Sequence, residues 1–214
     1  PLDPFESRLR IGICPPSLEE LLAVPVAELV SRHRKLMVDL TATSADRGLQ
    51  MLRRGDVDLA FAPSAVFTGW TEFTLQRLRP LQARAFVRKE HPLARRKDLE
   101  PEDLVEFAFV SPGLAEPHAD LLRDLYRRHG RDPKRMFHIV DNLAIVRRIV
   151  SLTDAIAVAS VAFTETERFR ERFEVLQLPL FAEMPLCCAH ARRWTPTAPA
   201  QEFMRLLEAS IGSA

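Results

Sequence analysis

Short apolar runs alternate with stretches of helical periodicity along most of the chain. Leu9-Arg-Ile-Gly-Ile-Cys14 has the pattern of a buried strand. Ser17-Leu-Glu-Glu20 then fits a capping box, with a hydroxyl at the N-cap and a carboxylate three residues on. Leu18, Leu21, Leu22, Val26, Leu29 and Val30 follow as a helical stripe, and Pro25 inside it predicts a kink or a delayed start. Leu36 to Thr43 is the second strand, Ser44 can cap a helix carrying Leu49, Met51 and Leu52, and Gly55 stops it. Val57 to Ala62 is the third strand, ended by Pro63. Strand and helix in this order favour a parallel sheet covered by helices.

The middle is less regular. Phe67 to Trp70 reads as a loop, and Leu75 to Val87 as one or two strands. A second series then begins near Leu104. Its strands are Phe107–Val110, Phe137–Val140, Ala155–Ala159, Val175–Leu178 and Leu186–Ala189. One helix carries Leu121, Leu122 and Leu125 and stops at Gly130, and Asp141 or Asn142 can cap the next, from Leu143 to Leu152. A charged helix is predicted from about Thr164 to Phe173, and Pro199 opens a last helix bearing Phe203, Leu206 and Leu207. The fold class is α/β, as two similar βα modules.

Composition narrows the function. The 214 residues include 47% hydrophobic and 28% charged side chains, ordinary for a globular chain and unlike a disordered one. No apolar run reaches membrane-spanning length. The net charge of +1 argues against a chain that works mainly by neutralising phosphates. A strip from Arg77 to Lys97 holds eight basic residues and one acid, Glu90, but only Phe86 as an interleaved aromatic. It therefore reads as a solvated face or subunit contact rather than a nucleic-acid platform. Lys occurs only at 35, 89, 97 and 134, and the excess of Arg suits codon bias or recognition of carboxylates. Three cysteines, Cys14, Cys187 and Cys188, form no disulfide framework, and the vicinal pair is a strained bridge.

Catalytic chemistry is not visible. With seven Gly there is no dinucleotide or P-loop motif, no nucleophile elbow, and no zinc spacing among the six His. No catalytic residue, metal ligand or cofactor is therefore assigned. Small polar residues instead recur where strands end and helices begin. They are Ser17, Thr43, Ser44, Ala62-Pro63, Ser111-Pro112, Asn142 and Ser160. In open α/β sheets ligands bind beyond these strand ends, where helix N-termini favour an anion. The same residue types are also the preferred helix caps, so each position has a plain structural explanation beside the functional one.

The order of motifs resembles the effector-binding domain of LysR-type transcription regulators. The carrying segments are Leu9-Arg-Ile-Gly-Ile with Leu21-Leu22 and Pro25, Leu52-Arg-Arg-Gly55-Asp-Val-Asp58-Leu-Ala-Phe61, Val87-Arg-Lys-Glu-His91-Pro-Leu-Ala94, and Leu176-Gln-Leu-Pro179-Leu. The likeness covers residues 8 to 210. It implies a periplasmic-binding-protein-like (type 2) fold of two Rossmann-like subdomains, the first 8–87 plus 190–214 and the second 88–189, with hinge strands near 84–90 and 186–191. Residues 1–7 would be the remnant of a linker to a winged helix-turn-helix module. The resemblance implies a small-molecule effector in the cleft between the subdomains, lined by Ser17, Thr43, Ser44, Ala62, Pro63, Ser111, Pro112, Asn142 and Ser160, and the helix N-termini suit one that bears a carboxylate. It also implies homodimers and homotetramers in the cytoplasm, no membrane contact, and DNA binding only through the preceding module. The alternative is an extracytoplasmic solute-binding receptor of similar fold. One departure is Leu152-Thr-Asp154, where the family often has a Gly-rich turn.

Overall fold

The computed structural model describes residues 3–14, 18–111, 117–178 and 183–212. Its first compact unit comprises residues 1–81 and 184–214, and its second residues 82–183. The chain thus passes between units at Leu81/Gln82 and Glu183/Met184, where the sequence reading put the passages at 87/88 and 189/190. The shift follows from strand pairing, because each of the two strands near the passages is bonded wholly into one sheet.

The first unit contains β1 (Arg8–Ile13), α1 (Glu19–Arg32), β2 (Met37–Ala42), α2 (Ala45–Arg54), β3 (Leu59–Pro63) and β4 (Phe73–Arg77). The second contains β5 (Ala83–Arg88), β6 (Phe109–Ser111), α3 (Pro117–Arg128), β7 (Phe137–Ile139), α4 (Leu143–Leu152) and β8 (Ile156–Ser160). It closes with α5 (Val161–Thr164), α6 (Glu167–Arg170) and β9 (Phe173–Val175), after which β10 (Leu186–Ala191) and α7 (Ala198–Gly212) return to the first unit. The sheet orders are β2-β1-β3-β10-β4 and β7-β6-β8-β5-β9. β1 is parallel to β2 and β3, and β6 is parallel to β7 and β8. β10 and β5 each run antiparallel to both neighbours, so both sheets are mixed.

Every central strand feeds two cores. Phe61 and Cys188 pack with Leu22, Leu29, Phe203 and Leu207 on the α1/α7 side. Their neighbours Ala60, Ala62, Cys187 and Ala189 pack with Leu49 and Leu52 of α2 on the other. In the second unit Ala85, Val87, Phe109 and Ile156 face Leu122 and Tyr126 of α3, and Phe86, Val110 and Ala157 face Val146 and Val150 of α4. Successive strand residues point to opposite faces, so a strand covered on both sides is apolar throughout. The same alternation separates the vicinal cysteines. Cys187 and Cys188 lie in different cores, and all three thiols are free and buried. Edge strands are less covered: β2 leaves Met37 and Leu40 exposed, β4 Leu75 and β7 Ile139.

Two sequence motifs act as latches. Asp58 accepts the backbone N–H of Arg10 (2.8 Å) and its guanidinium (2.6 Å), and Gly55 O takes a second guanidinium bond (2.7 Å). Gly55 ends α2 at φ 76°, a left-handed geometry that favours glycine. In the second latch the buried His91 accepts the Leu93 N–H at Nδ1 (3.0 Å), which leaves Nε2 to donate to Asp154 O (3.1 Å). Thr153 Oγ1 donates to Ile149 O (2.9 Å) and accepts from Ala155 N (3.1 Å), and Arg88 bonds the Asp154 carboxylate (2.8 Å). Side chains thus hold the turn at Leu152-Thr-Asp154.

Local readings differ in two places. The charged helix from Thr164 to Phe173 is two single turns, α5 and α6. Thr166 breaks it by taking extended backbone and accepting the Phe169 N–H, which starts a new turn. The strand predicted at Val175–Leu178 is β9, two residues earlier and shorter. The Ser17 end of the proposed capping box lies outside the described residues. α1 itself runs through Pro25 to Arg32.

Gly48 of α2 packs against Cys14, and a Cβ there would approach Sγ closer than 3.0 Å. Gly48→Ala is expected to lower unfolding free energy by about 1–3 kcal/mol through overpacking, despite alanine's better helix propensity. Cys14→Gly in the same chain should recover part of the loss in urea denaturation; equal losses with and without it would refute the contact.

Burial lowers the His91 pKa below its ordinary 6.5. The unfolded chain then binds the extra proton first, so this contribution to stability is complete above about pH 6.5 and falls as the pH drops toward the folded-state value. The stability gap between wild type and His91→Asn should therefore narrow between about pH 7.5 and about pH 5. A gap that widens on acidification would contradict the buried neutral imidazole.

Candidate functional site

The carboxyl ends of the parallel strands define one edge of each unit. In the first unit β2, β1 and β3 are adjacent, so Thr43-Ser44 and Pro63-Ser64 flank the end of β1. Thr43 N–H donates to Ile13 O (2.9 Å) and Cys14 N–H to Phe61 O (3.0 Å), which fixes the three ends together. Ser44 is the N-cap residue of α2 by backbone geometry, yet its side chain makes no capping bond. The first amides of α2 therefore keep their donor capacity at this edge.

The other assigned positions fare differently. Ala62 is fully buried against the α2 core, so its side chain presents no surface, whereas Pro63 is half-buried. Ser111 is also fully buried, and its carbonyl accepts from Val140 N (2.9 Å). Asn142 is exposed and caps α4, its Oδ1 accepting from Ile145 N at 3.0 Å. Ser160 caps α5, its Oγ accepting from Phe163 N at 3.2 Å. Its hydroxyl proton remains free to donate outward. Ser17 and Pro112 lie outside the described residues.

Reactive groups are muted. Loss of hydration pushes the thiols of Cys14 and Cys187 up to about 11 and that of Cys188 to about 12, so none is a thiolate nucleophile at neutral pH. Among the described residues no group of three or more His, Cys, Asp or Glu could hold a metal ion. No helix among them is long and apolar enough to cross a membrane.

Two further features stand beside the assigned residues. Ser64 opens a 3-10 turn after β3 and shares a side-chain hydrogen bond with Cys187. Gln82 and Glu183, the first and last residues of the second unit, join through Gln82 Nε2 to Glu183 Oε1 at 3.1 Å. Neither lies in a motif, and 101 residues separate the second pair, so no local signal marks it.

Two α/β units with mixed sheets and polar strand ends define a ligand-binding domain of the periplasmic-binding-protein-like (type 2) class. The chain belongs to the LysR substrate binding domain family, whose model matches residues 3–211. Solved structures agree in fold. The regulatory domain of Synechocystis PCC6803 CcmR, in complex with 2-PG, superposes with a TM-score of 0.74 at 16% identity, over 95% of this chain and 96% of that one. Pseudomonas aeruginosa HinK, a LysR family transcriptional regulator, gives 0.76 at 17% identity over 99% and 72%. A Corynebacterium glutamicum OxyR C206 mutant gives 0.73 at 17% identity over 96% of this chain, which spans 64% of that protein's length. No curated protein matches the chain. The alternative of an extracytoplasmic solute receptor is not favoured by these relationships.

The capping difference has a direct consequence. Asn142→Ala should cost about 1 kcal/mol of unfolding free energy by removing a formed cap, while Ser44→Ala should change it by less than about 0.5 kcal/mol. Equal costs in chemical denaturation would show that Ser44 does cap α2.

Proposed function

We propose that this chain is the effector-sensing domain of a LysR-type transcription regulator and that it takes a small, carboxylate-bearing molecule at the strand ends of its two units. The observation that carries this reading is the β2–α2 junction. There Thr43 and Ser44 stand beside the ends of β1 and β3, and the Ser44 hydroxyl is not spent on its own helix. A carboxylate fits the free amides and the positive end of α2. The contacts assigned are Ser17, Thr43, Ser44, Pro63, Pro112, Asn142 and Ser160, with Ala62 and Ser111 contributing through their backbone. Asn142 and Ser160 keep their caps, so each has a donor left for the ligand.

Binding regulates only if the effector prefers one arrangement of the protein over another. The domain has no catalytic role in this reading, and DNA is contacted by a separate module of the full regulator in the cytoplasm. Self-association into dimers and tetramers is supported by exposed apolar side chains on α1 and β2, namely Val24, Val30, Met37 and Leu40.

A ligand that binds only the folded chain raises its melting temperature. A panel of small carboxylates should include some that do so for wild type. Ser44→Ala and Thr43→Val should lose that shift while keeping the ligand-free melting temperature of Ser44→Ala near wild type. A panel without any shift, or shifts unchanged by both substitutions, would overturn the reading.

A further inference from the structure

We propose a second ligand site, confined to the second unit and built around Arg84, for a small organic monocarboxylate with an apolar body. A hollow of about 490 Å³ lies at the end of the sheet where β5 starts and β9 stops. Its walls include Arg84, Gln82, Glu183, Val161, Leu176 and Gln177. Among the described residues, none of the strand-end positions assigned to the effector lines it.

Strand register explains the space. Arg84 sits on the interior strand β5 opposite Ala159 of β8, and Ala83 lies opposite Ser160. With alanine opposite it, Arg84 has no bulky cross-strand neighbour on that strand. The pairing continues past β9, with Leu176 N–H donating to Ala85 O (2.9 Å), and the partly exposed Val175 and Leu178 supply apolar lining. The guanidinium has no hydrogen-bond or ion-pair partner among the described residues. A side chain with five fixed donors at the rim of a hollow matches a carboxylate fork. The volume falls within the range of small-molecule sites.

Charge restricts the ligand. Among the described residues Arg84 is the one cation and Glu183 the one anion lining the hollow, and Glu183 is engaged by Gln82 Nε2 at 3.1 Å. One carboxylate neutralises Arg84, and a second would face Glu183 without a partner. A neighbouring hollow of about 310 Å³ shares Arg84 and adds Arg170, Glu165 and Glu174, and it is the smaller of the two. Gln82 and Glu183 bound the unit in sequence, so a ligand here touches both segments through which the chain enters and leaves it.

The test is calorimetric titration of the full chain with hexanoate and cyclohexanecarboxylate, and with hexanamide as the uncharged control. Wild type should bind at least one of the carboxylates and bind hexanamide at least roughly tenfold more weakly. Arg84→Gln should lose roughly tenfold or more in affinity, and Arg84→Lys should fall between. Melting curves confirm that each variant is folded. Absence of binding by wild type, equal binding of hexanamide, or unchanged affinity in Arg84→Gln overturns the proposal. Loss in Ser44→Ala with Arg84→Gln unaffected would place the carboxylate at the strand-end site instead.

Discussion

Burial of both sheet faces is the constraint from which the rest follows. Each central strand supplies alternate residues to two cores, so most of its side chains are withdrawn from water. Polar chemistry is excluded from the strands because a buried polar group without a partner is costly. It is displaced to the strand ends, where helices start and backbone amides are unpaired. The ligand binding proposed at the strand ends would follow from this packing rule.

The same rule explains the motifs that carry the family likeness. The glycine and aspartate after α2 do not touch a ligand in this fold. Gly55 turns the chain and Asp58 receives Arg10, which sets β3 against β1. His91 is likewise structural, with one nitrogen on its own loop and the other on the turn before β8. These residues hold the strand ends at fixed heights. The ligand contacts proposed above, Ser44 and Arg84 among them, lie outside the motifs.

Much of the fold was legible in the sequence because period and punctuation are local. The continuous apolar runs at β1, β3, β8 and β10 marked strands buried on both faces, and Gly55 and Gly130 marked helix stops. The reading failed where local signals competed. A helical pattern spanned Thr164 to Phe173, but the Thr166 hydroxyl offered the backbone a cap and split it. The candidate site was legible only as a set of junctions. Thr43, Ser44, Asn142 and Ser160 all carry cap-forming side chains, and sequence cannot say which of them spends that capacity on its own helix.

The sequence by itself determined the order of strands and helices, the apolar strand interiors and the family, because each depends on residues a few positions apart. Tertiary structure alone decided exposure and partnership. Met37 and Leu40 lie open because β2 is an edge strand, and Ala62 is closed because β10, more than a hundred residues away, inserts beside β3. Asn142 was bonded to its helix and Ser44 was not. Such outcomes depend on which distant segments pair and how closely they approach, and no local pattern encodes that.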